Sequence, residues 1–279
     1  GNPFIQGSSL RDISGLFEEP VENHSELYLE LETKKSYLYG EPVVLETKLK
    51  TSRNRSTQVV SNLHADYGFV TIGIKKPSGE IVIYEPLAER CTAPVYAVLN
   101  AENPSIYESS YIGFGKDGFI FDQSGNYQIK AVYYHEDGSR IVSDTISLRV
   151  KSPVTAKDDE IGEIMMQEEV GYLLAFRGSD ASYLQKGNDA LGQMIDKYKE
   201  SMMSVYAQYV TGVNAQRSFK MITTDKKITM RDPNYKLGDA LLIDVIEKSK
   251  GKGGLDNISL NQAMQTLALS YQREGNKKA

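Results

Sequence analysis

Ser143-Asp144-Thr145-Ile146-Ser147-Leu148-Arg149-Val150-Lys151-Ser152-Pro153 is the stretch at which the chain changes period. Up to Val150 apolar residues alternate with polar ones, as a half-buried strand requires; beyond Pro153 they recur every three or four positions, as one face of a helix requires. Pro153 has no amide hydrogen to give to a ladder, so it stops the last strand. The change therefore separates a β half from an α half. At about 100–200 residues per domain, the 279 residues are enough for two cores. The expected organisation is an N-terminal extension over 1–25, a β domain over 26–152 and an all-α domain over 153–279.

Upstream of the break, seven of the nine prolines lie before residue 153. Leu27, Leu29 and Leu31 alternate with Tyr28, Glu30 and Glu32, and Val43, Leu45, Thr47 and Leu49 with Val44, Glu46, Lys48 and Lys50. Phe69 to Ile74 and Ile81 to Tyr84 flank Lys76-Pro77-Ser78-Gly79, which predicts a hairpin because proline fixes φ and glycine accepts positive φ. Further strands are expected at Tyr107 to Phe114, Tyr127 to Tyr134 and Ile141 to Val150, making about seven and hence an antiparallel sandwich. The polar connections from Thr51 to Tyr67 and from Ala88 to Pro104 are expected to be loops, the usual seat of recognition.

Downstream, five helical stretches are expected. They are marked by Ile161 to Leu174, Leu184 to Tyr198, Met202 to Val213, Leu241 to Ile246 and Leu260 to Tyr271, the last opened by Ser259 and Gln262 as a capping box. Met165, Met166, Met202 and Met203 read as core filler, and Tyr198, Tyr206, Tyr209 and Tyr271 as core-facing. Val205 to Gly212 and Leu267 to Gly275 share an early alanine, a following tyrosine and a terminating glycine. They resemble tetratricopeptide-repeat (TPR) hairpins, so the α domain is expected to be TPR-like or a bundle. Residues 216 to 235 read as a long charged loop.

Three stretches of the β half resemble known sandwich domains. Tyr37-Leu38-Tyr39-Gly40-Glu41-Pro42-Val43-Val44-Leu45 is similar to the Tyr-x-x-Gly-Glu-Pro-Val turn of bacterial secreted sandwich domains and of macroglobulin-type and proteinase-inhibitor-type sandwiches. Phe114 to Phe121 followed by Asp122 to Ala131 resembles the penultimate-strand entry of immunoglobulin-like and fibronectin III-like domains, with Gly125 in a tight turn and Tyr127 as a tyrosine corner. Ser143 to Val150 looks like the closing strand, and the resemblance covers residues 26 to 152. It departs from antibody domains in having no cysteine pair and no tryptophan. The order of sandwich and helices, with Glu168 to Leu174 and Ser204 to Tyr209 ahead of Arg217-Ser218-Phe219, is similar to that of uncharacterised secreted or periplasmic bacterial proteins. The resemblance implies an immunoglobulin-like fold and export, and it carries over no catalytic residue.

Composition narrows the chemistry. Hydrophobic residues are 40% and charged residues 25%, which excludes collagen-like, coiled-coil and disordered classes, and no apolar run approaches the roughly 20 residues of a membrane span. Lone Cys91 excludes an internal disulfide and any Cys-x-x-Cys site; with His24, His64 and His135 besides, transition-metal ligands are scarce. Residues 1–152 carry 15 Lys/Arg against 20 Asp/Glu, a net of −5, and residues 153–279 carry 17 against 17. The densest basic cluster, Arg217, Lys220, Lys226, Lys227 and Arg231, is interrupted by Asp225 and Asp232, so it reads as a solvated loop and no nucleic acid is expected.

No Gly-x-Ser-x-Gly elbow occurs. His64 near Asp66, and His135 near Glu136 and Asp137, read as surface histidines; Asp158-Asp159-Glu160 reads as the first turn of a helix. Gly251-Lys252-Gly253-Gly254 lacks the Lys-Ser/Thr ending of a phosphate loop and reads as a linker, and Cys91 beside Arg90 as inert. Tyr84, Tyr96, Tyr107 and Tyr111 suggest a stacking platform for sugars or peptides. The expectation is an exported bacterial binding or scaffolding protein, engaging a protein partner or a surface glycan through sandwich loops or the helical domain. No catalytic, metal or cofactor-binding residue is assigned. The alternative is a hydrolase or hydrolase-associated protein with a site at the domain junction; a proteinase-inhibitor-like role follows from the sandwich resemblance alone. The start at Gly1-Asn2-Pro3 without methionine reads as processed or trimmed, with a removed signal peptide and, in the full-length protein, a lipid anchor.

Overall fold

A computed structural model describes residues 15–21, 26–52, 56–251 and 253–278. Gly1 to Pro3, His24 and Lys252 lie outside the described residues. The chain divides into two compact units. One comprises the described residues up to Tyr39 with Val43–Pro153, the other Gly40–Pro42 with the described residues from Val154 on.

The first unit is β-rich. In chain order its strands are β1 Leu27–Glu32, β2 Ser36–Leu38, β3 Val44–Thr51, β4 Thr57–Val60, β5 Val70–Lys75, β6 Ile81–Ile83, β7 Tyr96–Leu99, β8 Ser105–Tyr111, β9 Phe114–Gly115, β10 Gly118–Phe119, β11 Gly125–Tyr134, β12 Arg140–Val142 and β13 Ile146–Lys151. A three-stranded sheet runs β1-β3-β8 and a six-stranded one β2-β13-β11-β5-β6, with β12 also on β11; β4-β7 and β9-β10 are two-stranded.

Alternation decides which face is buried. On the approach to β3 and along it, Val43, Leu45, Thr47 and Leu49 are buried while Glu46, Lys48 and Lys50 are only half-buried, which sets the register against β1 and β8. Leu27, Leu45 and Leu49 of the three-stranded sheet share one buried cluster with Ile72, Ile129 and Leu148 of the six-stranded sheet. The β5–β6 hairpin turns at Lys76–Glu80, where Lys76 N donates to Glu80 O at 2.8 Å and Gly79 sits at φ +91°. Tyr127 has its ring fully buried, and its hydroxyl donates to Gln123 O at 2.7 Å and accepts from Gln123 N at 3.1 Å.

The β unit departs from expectation in three ways. β2 runs parallel to β13, pairing Arg149 with Ser36 and Lys151 with Leu38, whereas antiparallel pairing is expected throughout. The chain leaves β1 after Glu32 and crosses to the other sheet, arriving beside β13 in the same direction; Thr33 secures the crossing through its hydroxyl to Val44 O at 2.9 Å. Second, the two expected recognition loops contain β4 and β7, which pair with each other. Third, part of the expected N-terminal extension is an integral piece of the unit. Leu16 is buried against Val132 and Val142, flanked by Phe17 and Tyr134. These strand residues lie on the face of β11 opposite to Ile129, Ala131 and Tyr133, which belong to the main cluster. Beside them the ammonium of buried Lys130 donates to the Glu19 carbonyl, and the Glu19 carboxylate grips Arg140 at 3.0 and 3.3 Å.

The second unit is helical. Its helices are α1 Ala156–Met165, α2 Glu168–Phe176, α3 Gln185–Tyr198, α4 Val205–Ala215, α5 Tyr235–Lys248 and α6 Asn257–Lys278, with strands β14 Phe219–Ile222 and β15 Ile228–Arg231 between α4 and α5. The first expected helical stretch is thus two helices, broken at Met166–Gln167. Thr155 caps α1 by accepting from Asp158 N at 3.0 Å, and Asn234 caps α5 by accepting from Leu237 N at 3.1 Å. α6 begins earlier than expected. Asp256 receives the Ser259 amide at 3.0 Å, so Asp256 serves the cap assigned to Ser259. The glycines read as helix terminators also act otherwise. Gly212 lies inside α4, where a β-carbon would stand 3.2 Å from Leu242, so its smallness serves the contact with α5; Gly275 lies inside α6. Tyr198 and Tyr209 are buried as expected, whereas Tyr271, at 52% exposure, and Met202, at 44%, face outward.

Candidate functional site: a basic, apolar hairpin

Residues 216 to 235, expected to be a loop, hold the β14–β15 hairpin. Antiparallel register pairs Phe219 with Arg231, Lys220 with Met230, Met221 with Thr229 and Ile222 with Ile228. Opposed residues share a face. Phe219, Met221 and Arg231 are half-buried on the inner face; Ile222, Ile228 and Met230 on the outer face are 71%, 59% and 56% exposed, with exposed Lys220 among them. Each strand pairs only with the other, so among the described residues both outer edges are open. The turn closes through Thr223 N to Lys227 O at 2.9 Å and Lys226 N to Thr223 O at 2.9 Å, with Lys226 at φ +61°. The Asp225 carboxyl is held below its ordinary range by the Thr223 hydroxyl, and it pairs with Lys227 at 3.4 Å. Lys220 and Lys226 have no carboxylate partner among the described residues. Sequence reading missed these strands because the charged turn hides an alternation only four residues long on each side.

The five residues of the basic cluster separate into two groups. Lys220, Lys226, Lys227 and Arg217 are exposed and Arg231 is half-buried, but both arginines, unlike the lysines, are hydrogen-bonded to the ends of the helices. Arg231 Nε pairs with Asp180, its Nη1 donates to Asp232 O at 3.2 Å and its Nη2 to Asn214 O at 2.9 Å. Arg217 Nη2 donates to Arg177 O at 2.6 Å and to the Asn214 side-chain oxygen at 3.2 Å. These bonds hold the hairpin by its base to the ends of α2 and α4.

The other candidates take structural places. His135 is only 9% exposed, not a surface histidine; its Nδ1 is buried without a hydrogen-bond partner and its Nε2 lies 3.9 Å from Asp137. His64 Nδ1 accepts from Asp66 N at 3.2 Å, capping the turn Ala65–Tyr67, and Asp66 also meets Arg90 at 3.3 Å. No serine hydroxyl is bonded to either imidazole among the described residues. The four tyrosines form no platform. Tyr84 is buried with its hydroxyl on Phe114 O at 3.2 Å, and Tyr111 is half-buried, its hydroxyl pKa pushed up by burial. Tyr96 and Tyr107 are exposed, but on strands of different sheets, bonded to Glu136 at 2.5 Å and overlain by Lys48 at 5.2 Å respectively. Cys91 is exposed, and Gly253 and Gly254 lie between α5 and α6 at φ +94° and +84°. Among the described residues no three His, Cys, Asp or Glu side chains are grouped to hold a metal ion, and no helix is long and apolar enough to cross a membrane.

No protein-family profile and no curated protein sequence matches the chain. Among solved structures it is similar to a β-glucosidase from Listeria innocua in complex with glucose, at 13% identity and a TM-score of 0.28 over 47% of this chain and 17% of that one. It is also similar to the CARDB domain of the PF1109 protein from Pyrococcus furiosus in complex with di-metal ions, at 12% identity, a TM-score of 0.25 and coverage of 45% and 87%. A third is CopC from Methylosinus trichosporium OB3b, at 14%, 0.24, and 46% and 97%. The chain spans less than a fifth of the glucosidase, and likenesses of this degree carry no argument about this protein.

Proposed function

We propose that the chain is a binding or scaffolding protein whose helical unit docks an extended, acidic segment of a partner protein along the β14–β15 hairpin. The observation that carries the reading is the outer face of Ile222, Ile228 and Met230 beside Lys220 and Lys226, on strands with open edges. An added strand gains backbone hydrogen bonds along an edge, while alternate side chains cover the apolar face. Complete burial of one such apolar side chain is worth about 1.5–3 kcal/mol, and the lysines select acidic residues at the flanks.

The test is a titration of the isotope-labelled full chain with a synthetic seven-residue peptide alternating valine and glutamate, and with its valine–lysine counterpart. The acidic peptide is expected to shift the amide resonances of residues 219–231 saturably and to lose that effect in Ile228→Glu, an exposed site that tolerates the charge. Equal response to both peptides, or none to the acidic one, overturns the reading.

The finer description of the fold belongs to the same proposal. An immunoglobulin-like sandwich for the β unit is supported by the buried cluster shared between its two larger sheets and by the Tyr127 corner. For the helical unit, the bundle reading is favoured over the TPR-like one, because the two glycines behind the repeat lie inside helices. Export to the periplasm or beyond rests on the resemblance of Tyr37 to Leu45 to secreted sandwich domains, and fractionation of cells expressing the full-length protein tests it.

A further inference from the structure

Arg177 occupies an unusual backbone position. It follows α2 at φ +56° and ψ +45°, in the left-handed region where glycine is the ordinary helix-terminating residue. The next residue, Gly178, closes the turn by donating to Leu173 O at 2.8 Å. An arginine therefore stands where glycine fits the backbone better. That guanidinium donates through Nη1 to Gln262 Oε1 at 3.1 Å, the same atom that receives the Tyr209 hydroxyl at 3.0 Å.

Arg217 lies in the same cluster, its Nη2 bonded to the carbonyls of Arg177 and Gly178, and Arg231 lies beside it on Asp180 and Asn214. Three guanidiniums thus share the ends of α2 and α4. The carboxylates near them are Asp180, taken up by Arg231 and by Asn214 Nδ2 at 2.9 Å, and Asp256, taken up by the Tyr206 hydroxyl at 2.8 Å and the Ser259 amide. Arg217, although its side chain reaches solvent, is held below the ordinary guanidinium range by partial desolvation and by the charges of Arg231 and Arg177, which outweigh Asp180. Donor capacity is left over as well. A guanidinium offers five N–H groups; Nε and Nη1 of Arg217 and Nε and Nη2 of Arg177 have no acceptor among the described residues. Arg231, by contrast, uses all three of its nitrogens.

We propose that Arg177 and Arg217 form a site for a phosphate-class oxyanion, with Arg231 as the positioning residue that ties it to the hairpin base. Planar forks with spare donors suit an oxyanion, and two cations favour a dianion over a monoanion. The site does not depend on strand addition to the hairpin, and each can fail alone.

The experiment is thermal denaturation and calorimetric titration of the full chain with inorganic phosphate, against sodium chloride and sodium acetate at matched ionic strength. Phosphate is expected to raise the melting temperature with the logarithm of its concentration, beyond either control. Arg217→Gln is expected to weaken phosphate binding about tenfold or more, the loss of a charge-assisted hydrogen bond. Arg177→Gly is the decisive variant. Glycine suits the backbone there, so the variant is expected to melt in chloride at or above the parent temperature while losing the phosphate response. A wild-type response no larger in phosphate than in chloride overturns the proposal, as does a full response in both variants. A phosphoserine peptide binding more tightly than inorganic phosphate assigns the group to a phosphorylated chain; weaker binding assigns a free anion.

Discussion

Tyr133 and Tyr127 make the same pair of hydrogen bonds in different surroundings, and the contrast yields a quantitative prediction. The Tyr133 hydroxyl donates to Val60 O at 3.1 Å and accepts from Val60 N at 3.0 Å, joining β11 to β4; the Tyr127 hydroxyl does likewise with Gln123. Val60 is fully buried, whereas Gln123 is exposed. Tyr133→Phe therefore strands a donor and an acceptor away from water, each at about 1–3 kcal/mol, for a loss of about 2–6 kcal/mol. Tyr127→Phe frees backbone groups that water can reach, so only the net value of two bonds is lost, about 1–2 kcal/mol. At about 3–4 °C per kcal/mol for a unit of this size, the first variant is expected to melt roughly 6–24 °C below the parent and the second about 3–8 °C below. Urea denaturation followed by tyrosine fluorescence and circular dichroism measures both. Equal losses, or a larger loss for Tyr127→Phe, refute the argument that solvent access to the freed backbone sets the cost. Alkali gives a second reading. Burial pushes the Tyr127 hydroxyl up to about 12 from 10.0, so its contribution is complete below pH 10 and fades as pH rises toward 12. The stability gap between Tyr127→Phe and the parent narrows over that range.

Leu16→Ala is expected to cost about 2–4 kcal/mol, since the side chain is fully buried against Val132 and Val142; a change under about 0.5 kcal/mol in urea contradicts the place given to the Gly15–Val21 segment. Burial raises the Asp244 pKa, but the Gln208 amide and the Lys248 ammonium outweigh it and hold the carboxyl below its ordinary 3.8. Its contribution is therefore present above pH 3.8 and is lost as pH falls through the depressed value, so Asp244→Asn should flatten the acid limb of a pH–stability curve.

Long alternating or periodic segments were legible in the sequence. β3, the β5–β6 hairpin, α3 and α5 follow from spacing alone, because each buries a face long enough to show its period. What escaped was short or depended on distant partners. β4 and β7 are four residues each and exist by pairing across a separation that no window spans. β14 and β15 are as short and are joined by a charged turn. Ser259 reads as a cap because Gln262 follows at the right interval, yet Asp256 is three residues earlier and Gln262 is committed to Tyr209 and Arg177. The arginine cluster draws on positions 177, 217 and 231, so only folding reveals that two members of an apparent solvated loop join a third from the end of another helix.

β13 is the last strand of its unit and the one that continues into Pro153. It is paired with β11 through five residues, Ile146 to Val150, and with β2 through its last three, Arg149 to Lys151. Because the bonds to the antiparallel β11 lie across the strand direction, a tension drawing β13 along its axis loads its five pairs with β11 together instead of opening them one at a time. β2, parallel to β13, leads at its own C-terminal end into Gly40–Pro42 of the second unit, so the antiparallel β11 is the partner that opposes such a pull on β13.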